Sequence, residues 1–325
     1  MLLHVFSLNI KLRQVKKGVK IIQIRKEREE PSELKYFRLL EPRKTFTAEE
    51  KRKYLKVKKG FEGEKQFDRR LRKDLKADCL VINGLLLEHN ETAFQIDSLL
   101  LFQNVNYVIE VKNFEGDFYT IEDRWHGISG NEIKDPLQQI NRSESSFRQL
   151  LQFHRLQSPL NVNARLVFIN LEFYLYNASM SLPVIFSNQL NRFIKKLNES
   201  PAKINQKQEQ LATHLISRHQ DDLRFTRVPN YSYHQLKKGI VCSVCPSFLD
   251  FKESKWVCNE CGHIEKFEEA VLRAVDEFKF LFPENKLTTK AICDWCSIQN
   301  GRKNIRRILN KHFKRIGTTK NAYYV

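Results

Sequence analysis

Gln95–Asn113 reads QIDSLLLFQNVNYVIEVKN, two apolar runs separated by a polar break, with Asp97, Glu110 and Lys112 set inside the runs. Short Ile-, Leu- and Val-rich runs around such a break predict an antiparallel hairpin. A turn on QNVN sets Phe102 opposite Tyr107, so that Asp97 faces Lys112 and Glu110 faces Leu99. Side chains alternate along a strand, which puts Asp97, Glu110 and Lys112 on one face. Ile96, Leu100, Phe102, Ile109 and Val111 then form a core face. Opposed residues lie about 5 Å apart and diagonal ones about 7 Å. Two carboxylates at that diagonal can share a hard divalent cation, Mg²⁺ or Mn²⁺. Such an ion lowers the pKa of a bound water and neutralises charge developing on a phosphodiester. Lys112 is then placed to orient the attacking water or to stabilise the oxyanion. A solvated sheet face carrying an Asp97–Lys112 pair has the same spacing, and spacing alone leaves both readings open.

Outward from the hairpin, GEKQFDRRLRKDL places Phe67, Leu71 and Leu75 four apart, which predicts an amphipathic helix, with a further helix from Thr47. CLVINGLLLEH and TAFQIDSLLLF read as strands, NYVIEVKNF as another, and DFYTIED as a strand after the turn at Glu115-Gly116. DPLQQINRSESSFRQLLQFH is a helix opened by Asp135, with Pro136 at its first position. ARLVFINLEFYLY reads as strand and SNQLNRFIKKLN as helix. Residues 200–238 are polar, rich in Gln and His, and read as a helical connector.

Four stretches, GFEGE (Gly60–Glu64), FQID (Phe94–Asp97), VIEVKNFEG (Val108–Gly116) and DPLQQ (Asp135–Gln139), occur in this order. Together they resemble the NERD (nuclease-related) domain, within the PD-(D/E)xK nuclease superfamily, over about residues 56–175. The resemblance implies a restriction-endonuclease-like α/β core, a mixed sheet flanked by helices. It implies Asp97 and Glu110 as metal ligands and Lys112 as the catalytic lysine. Glu64 becomes an auxiliary acid, and Gln139 reaches the site from the helix after the hairpin. Two positions depart from the family's commonest pattern: Asp135 stands where many relatives have Asn, and Ile96 precedes the first acid where Pro is common.

CSVCPSFLDFKESKWVCNECGH pairs Cys242 with Cys245 and Cys258 with Cys261, twelve residues apart. Two such knuckles fit a structural Zn²⁺ ribbon, and four thiolates leave no open coordination position. An iron–sulfur cluster or a redox pair fits the same spacing. The element resembles topoisomerase-type C-terminal ribbons, which implies contact with nucleic acid. Lys237, Lys238, Lys252, Lys255 and Trp256 are its candidate charges and stacking ring. Cys293 and Cys296 form a third C-x-x-C on a helix and read as packing residues. From Phe267 the chain reads as helices. QNG makes a tight turn before RKNIRRILNKHF, and RIGTTKNAYYV is a candidate wing hairpin. Helix, glycine-containing turn and basic helix suggest a helix-turn-helix, with Arg302, Lys303, Arg306 and Arg307 early in the recognition helix. From Gly301 onward there are eight Lys and Arg and no acid.

Charge agrees with these motifs. The 325 residues carry net charge +18, and residues 1–59 alone hold 18 Lys and Arg against 7 Asp and Glu. Such a balance favours polyanions, nucleic acid first. No run approaches the roughly 20 apolar residues that span a bilayer. The basic residues follow the opening MLLHVFSLNI, where a leader peptide would carry them in front. The expected protein is cytoplasmic, without membrane contact, and acts in DNA processing or defence. Its expected segments are a basic N-terminal stretch (1–55), a nuclease-like domain (56–175), an extension and connector (176–237), a zinc ribbon (238–264) and a winged-helix-like basic domain (265–325). The expected activity is metal-dependent hydrolysis of DNA, against the alternative of a non-catalytic DNA-binding adaptor with a degenerate site.

Overall fold

Residues 22–154, 161–200, 203–220, 226, 228–252, 255–319 and 322–325 are described by a computed structural model. The opening MLLHVFSLNI lies outside them. The backbone clusters into two compact units, one of residues up to Glu29 with Glu62–Gln220, the other of Glu30–Phe61 with Asp221–Val325. The basic segment 1–55 therefore divides between the two. No helix among the described residues is long and apolar enough to cross a membrane.

The first unit opens with β1 (Gln23–Lys26). Its central strands are β2 (Leu80–His89), β3 (Thr92–Leu101) and β4 (Asn106–Lys112), as the apolar runs predict. Asn90 and Glu91 take φ of 47° and 60° between β2 and β3, the mirror-image turn that matches strand twist. After β5 (Gly116–Ile121), β6 (Arg124–Gly127) and β7 (Glu132–Ile133) comes helix α3 (Pro136–Phe153). Asp135 caps α3 by accepting the Leu137 N–H at 2.8 Å. β8 (Val162–Phe168), β9 (Phe173–Tyr176), β10 (Val184–Ile185), α4 (Leu190–Asn198) and α5 (Gln206–Ser217) complete the unit.

A six-stranded sheet of order β1-β2-β3-β4-β8-β10 forms the centre, and a four-stranded sheet β7-β6-β5-β9 stands beside it. The larger sheet is mixed: β2-β3-β4 run antiparallel, while β1 on β2, β8 on β4 and β10 on β8 are parallel. Both its faces are covered. Ile140, Phe147 and Leu151 of α3 with Leu211 and Leu215 of α5 pack against Ile82, Leu99, Val108 and Leu166. Phe67, Leu71 and Leu75 with Leu190 and Ile194 of α4 pack against Val81, Leu100, Ile109 and Val167. Each such fully buried side chain contributes about 1.5–3 kcal/mol by leaving water.

Several expectations need correction. The two helices expected around Gly60 are one helix, α2 (Ala48–Asp74), because a single glycine inside a long helical pattern costs only about 1 kcal/mol. ARLVFINLEFYLY is two strands in different sheets, since Glu172 and its neighbours turn the chain after β8. The Gln- and His-rich connector holds α5, whose Leu211, Ala212 and Leu215 are buried in the core.

The second unit contains α1 (Ser32–Leu40), the first half of α2, a three-stranded sheet β11 (Asp250–Lys252), β12 (Lys255–Val257), β13 (Ile264–Lys266), and helices α6 (Phe267–Leu281), α7 (Thr289–Trp295) and α8 (Arg302–His312). β14 (Arg315–Ile316) and β15 (Tyr323–Tyr324) pair antiparallel after α8, and Leu287 bridges to Tyr324. The hairpin expected at RIGTTKNAYYV is present; Lys320 and Asn321 at its tip lie outside the described residues. Arg43 is fully buried here, forked onto Glu277 at 2.7 and 2.8 Å and lying 3.9 Å over the Trp295 ring.

Candidate active site

Asp97 stands where β3 loses its regular phase. Leu99 and Leu101 share a core cluster, as alternation requires, but Phe94 and Ile96 belong to that same cluster. The phase therefore slips between Ile96 and Leu99. On the neighbouring strand the slip falls at Gly84, whose φ of +59° is a backbone setting that side chains resist. The β2–β3 ladder pairs Asn83 with Ser98 and Leu85 with Ile96, and the step between these pairs is missing. Ile96 thus leaves the core face expected for it beside Leu100 and Ile109.

The β3–β4 register also differs from the expected one. Ser98 pairs with Ile109 and Leu101 with Asn106, a shift of two residues. Phe102 does not pair with Tyr107. It is buried, and its N–H donates to the Val105 carbonyl at 3.0 Å across the turn. The shift removes the opposition of Asp97 and Lys112. An even shift by itself turns no side chain to the other face; Ile96 is moved by the slip alone. Past Ser98 the Asp97 carboxylate takes over the ladder's role, accepting the Val111 N–H at 2.8 Å.

Glu110 and Lys112, two apart on β4, point to the face covered by α3. Lys112 Nζ donates to Glu110 Oε1 at 2.7 Å and to Gln139 Oε1 at 2.9 Å. Gln139 sits in the first turn of α3, fixed there by the Asp135 cap and Pro136. Glu110 is 2% exposed, and its Oε2 is buried without a hydrogen-bond partner. Glu64 comes from α2, close to β4 because Gly63 lets the helix in. A Cβ on Gly63 would stand 2.6 Å from Asn113 Cβ and 3.2 Å from Ile169 Cγ2.

Two residues at the site escaped the sequence reading, Arg28 and Asp68. Arg28 follows β1, and its side chain is almost fully buried. Its guanidinium forks onto Asp68 at 2.7 and 2.9 Å and reaches Glu64 Oε2 at 2.6 Å, the Asp97 carbonyl at 2.7 Å and Ser98 Oγ at 2.9 Å. Asp68, one helical turn beyond Glu64 on α2, is 7% exposed. The i, i+4 repeat of Glu64 and Asp68 was a usable signal; Arg28, inside a basic run, had none.

The carboxylates raise one another's affinity for protons. Burial, then the Asp97 charge, push Glu110 up to about 8 against the pull of Lys112. Burial and Asp97 likewise push Glu64 up to about 8 against Arg28. Asp97 is raised by burial, opposed by the Val111 N–H and Arg28. Buried acids of this kind, one with an orphaned oxygen, fit a hard cation. Among the described residues, however, the only group of three or more Asp, Glu, His and Cys with ligand atoms all within 4.8 Å of one another is the cysteine cluster. A cation here would rest on two carboxylates and water, the usual way in which Mg²⁺ is held.

That cysteine cluster is Cys242, Cys245, Cys258 and Cys261. Cys242 and Cys261 Sγ lie 3.7 Å apart, Cys245 and Cys258 Sγ 3.4 Å. Tetrahedral zinc with Zn–S bonds near 2.3 Å spaces its sulfurs by about 3.8 Å. The cluster is compatible with a zinc ribbon. Cys296 is buried in the core of the same unit, with Cys293 half-buried beside it.

Among the expected nucleic-acid contacts, Arg302, Lys303, Arg306 and Arg307 are all exposed on α8, while Ile305 and Ile308 face the core. Lys255 is exposed and stands in register between Lys252 and Lys266. Trp256 corrects the expectation of a stacking ring: it is 5% exposed, with Phe251 and Phe267 packed at 5.1 and 6.3 Å. Lys238 is turned inward, 3.3 Å over the Tyr233 ring.

A mixed sheet flanked by helices, with buried acids and a lysine at a strand end, fits a nuclease-like α/β core. Residues 59–169, roughly a third of the chain, match the family model of NERD, the nuclease-related domain. None of the curated proteins and none of the solved structures matches the chain.

Proposed function

We propose that the first unit hydrolyses phosphodiester bonds of DNA, with Asp97 and Glu110 holding Mg²⁺ or Mn²⁺. The observation that carries this reading is the unpartnered, buried Glu110 Oε2 beside Asp97. A buried carboxylate oxygen without a donor costs about 1–3 kcal/mol or more, and a cation removes that cost. When bound, the metal supplies Lewis acidity and a bound water of lowered pKa. Lys112, held between Glu110 and Gln139, keeps its ammonium at the mouth of the site, where it orients the attacking water or meets charge on the phosphate. Glu64 serves as auxiliary acid. Its neighbour Arg28 holds one of its oxygens.

In the second unit the four cysteines hold structural Zn²⁺, and nucleic acid is gripped by Lys255, Arg302, Lys303, Arg306 and Arg307. The sequence of α6, the Leu287 bridge, α7, α8 and the β14–β15 hairpin supports a winged-helix reading, with α8 as recognition helix. DNA binding measured in EDTA and in Mg²⁺ tests the whole. Asp97→Ala and Glu110→Ala should bind DNA like wild type, with the same salt dependence, and fail to cleave it. Undiminished cleavage by both variants would remove the catalytic assignment.

A further inference from the structure

We propose that Arg28 sets the capacity of the acidic site at one divalent cation. The inference rests on the metal reading above and concerns a residue outside the matched segment 59–169. Four carboxylates, those of Glu64, Asp68, Asp97 and Glu110, lie near enough to feel one another's charge. Two cationic side chains pair with them, Arg28 and Lys112. With all four ionised, as a bound cation would hold them, four negative charges against two positive leave two, the charge of a single divalent ion.

Geometry divides the acids. Arg28 spends its planar fork on Asp68, bonds Glu64 with its second amino group, and ties both to the backbone of Asp97. A guanidinium has five N–H donors and stays charged. Its side chain is 4% exposed. Arg28 therefore leaves the Glu64–Asp68 side with one net negative charge, too little to hold a second divalent ion there. Asp97 and Glu110, with Lys112 paired to Glu110, keep the other net charge, and the two together match one divalent ion. Arg28 also fixes the Asp97 main chain at the phase slip, and so acts as a positioning residue for that ligand.

Titration of the zinc-loaded full chain with Mn²⁺, followed by electron paramagnetic resonance and calorimetry, tests this. Wild type should take one Mn²⁺ at the acidic site. Asp68→Asn, which leaves a single uncompensated charge, should weaken Mn²⁺ about tenfold, and Arg28→Gln should tighten it about tenfold. The double variant Arg28→Gln/Asp68→Asn restores the balance and should return to wild-type affinity. It also keeps the test intact if Arg28→Gln alone does not fold. Two Mn²⁺ in wild type, or a double variant no closer to wild type than Asp68→Asn, would overturn the proposal. Asp97→Asn separates the levels: retained Mn²⁺ binding there sinks the site reading and this inference together. Binding lost there but unmoved by the Arg28 and Asp68 changes sinks this inference alone.

Discussion

Lys112 Nζ lies 2.9 Å from Gln139 Oε1, a contact between residues 27 positions apart. The chain leaves the large sheet at Lys112, builds three strands of the smaller sheet, and returns at Gln139 in the first turn of α3. The two ends of that excursion meet at the site. Gln139→Ala should therefore loosen Lys112 without unfolding the unit. A hydrogen bond to a charged group is worth about 1.5–3 kcal/mol, so cleavage should fall about tenfold to a hundredfold. Mn²⁺ affinity and melting temperature should stay close to wild type. Steady-state cleavage assays beside calorimetry check the pair of outcomes.

Stability should depend on pH in a direction opposite to that of an ordinary salt-bridged carboxylate. Glu64 and Glu110 have native pKa values raised to about 8 from 4.5. The native state thus binds more protons than the unfolded chain between those values. Their contribution is fully present below pH 4.5 and is lost as pH rises through about 8. Thermal melts in EDTA should show this fall. Added Mg²⁺ should offset it most at the alkaline end, where the acids are free to bind the ion.

Gly63→Ala should destabilise the first unit by about 1–3 kcal/mol, the usual cost of overpacking. The added methyl meets Asn113 Cβ at 2.6 Å. Urea denaturation checks this. Gly60→Ala is the control, because nothing lies within 4 Å of a Cβ there, and it should be neutral or stabilising in a helix.

Purified chain should carry one zinc, and Cys258→Ser should lose it. Cys258 is 1% exposed, and a structural zinc site contributes directly to folding. The variant should show faster proteolysis between Val241 and His263. Zinc retained at wild-type level would exclude the four-thiolate reading.

Much of the site was legible because its signals are local. Asp97, Glu110 and Lys112 break apolar runs, and a charge inside such a run needs a reason. The register differs from the expected one because Phe102 lies past the end of the ladder: Leu101 is the last paired residue, and the Phe102 N–H bonds the Val105 carbonyl across the turn. The slip at Gly84 and Asp97 left no trace in the alternation, since both of its sides are apolar. Arg28 was hidden for a different reason. It lies in a run whose composition matches a solvated basic face, and only the parallel pairing of β1 with β2, over 50 positions on, carries it inward. The core stripe of α5 is masked by Gln208 and Gln210 before Leu211 and by His214 before Leu215.

The central claim is that Glu110 does its work as a charge. Glu110→Gln keeps its shape and its bond to Lys112 while removing that charge. Cleavage of end-labelled linear DNA by wild type and this variant, at saturating Mg²⁺ and equal DNA occupancy, is the direct measurement. The account predicts metal-dependent cleavage by wild type and a loss of at least about a hundredfold in the variant. Cleavage by the variant at the wild-type rate would contradict it.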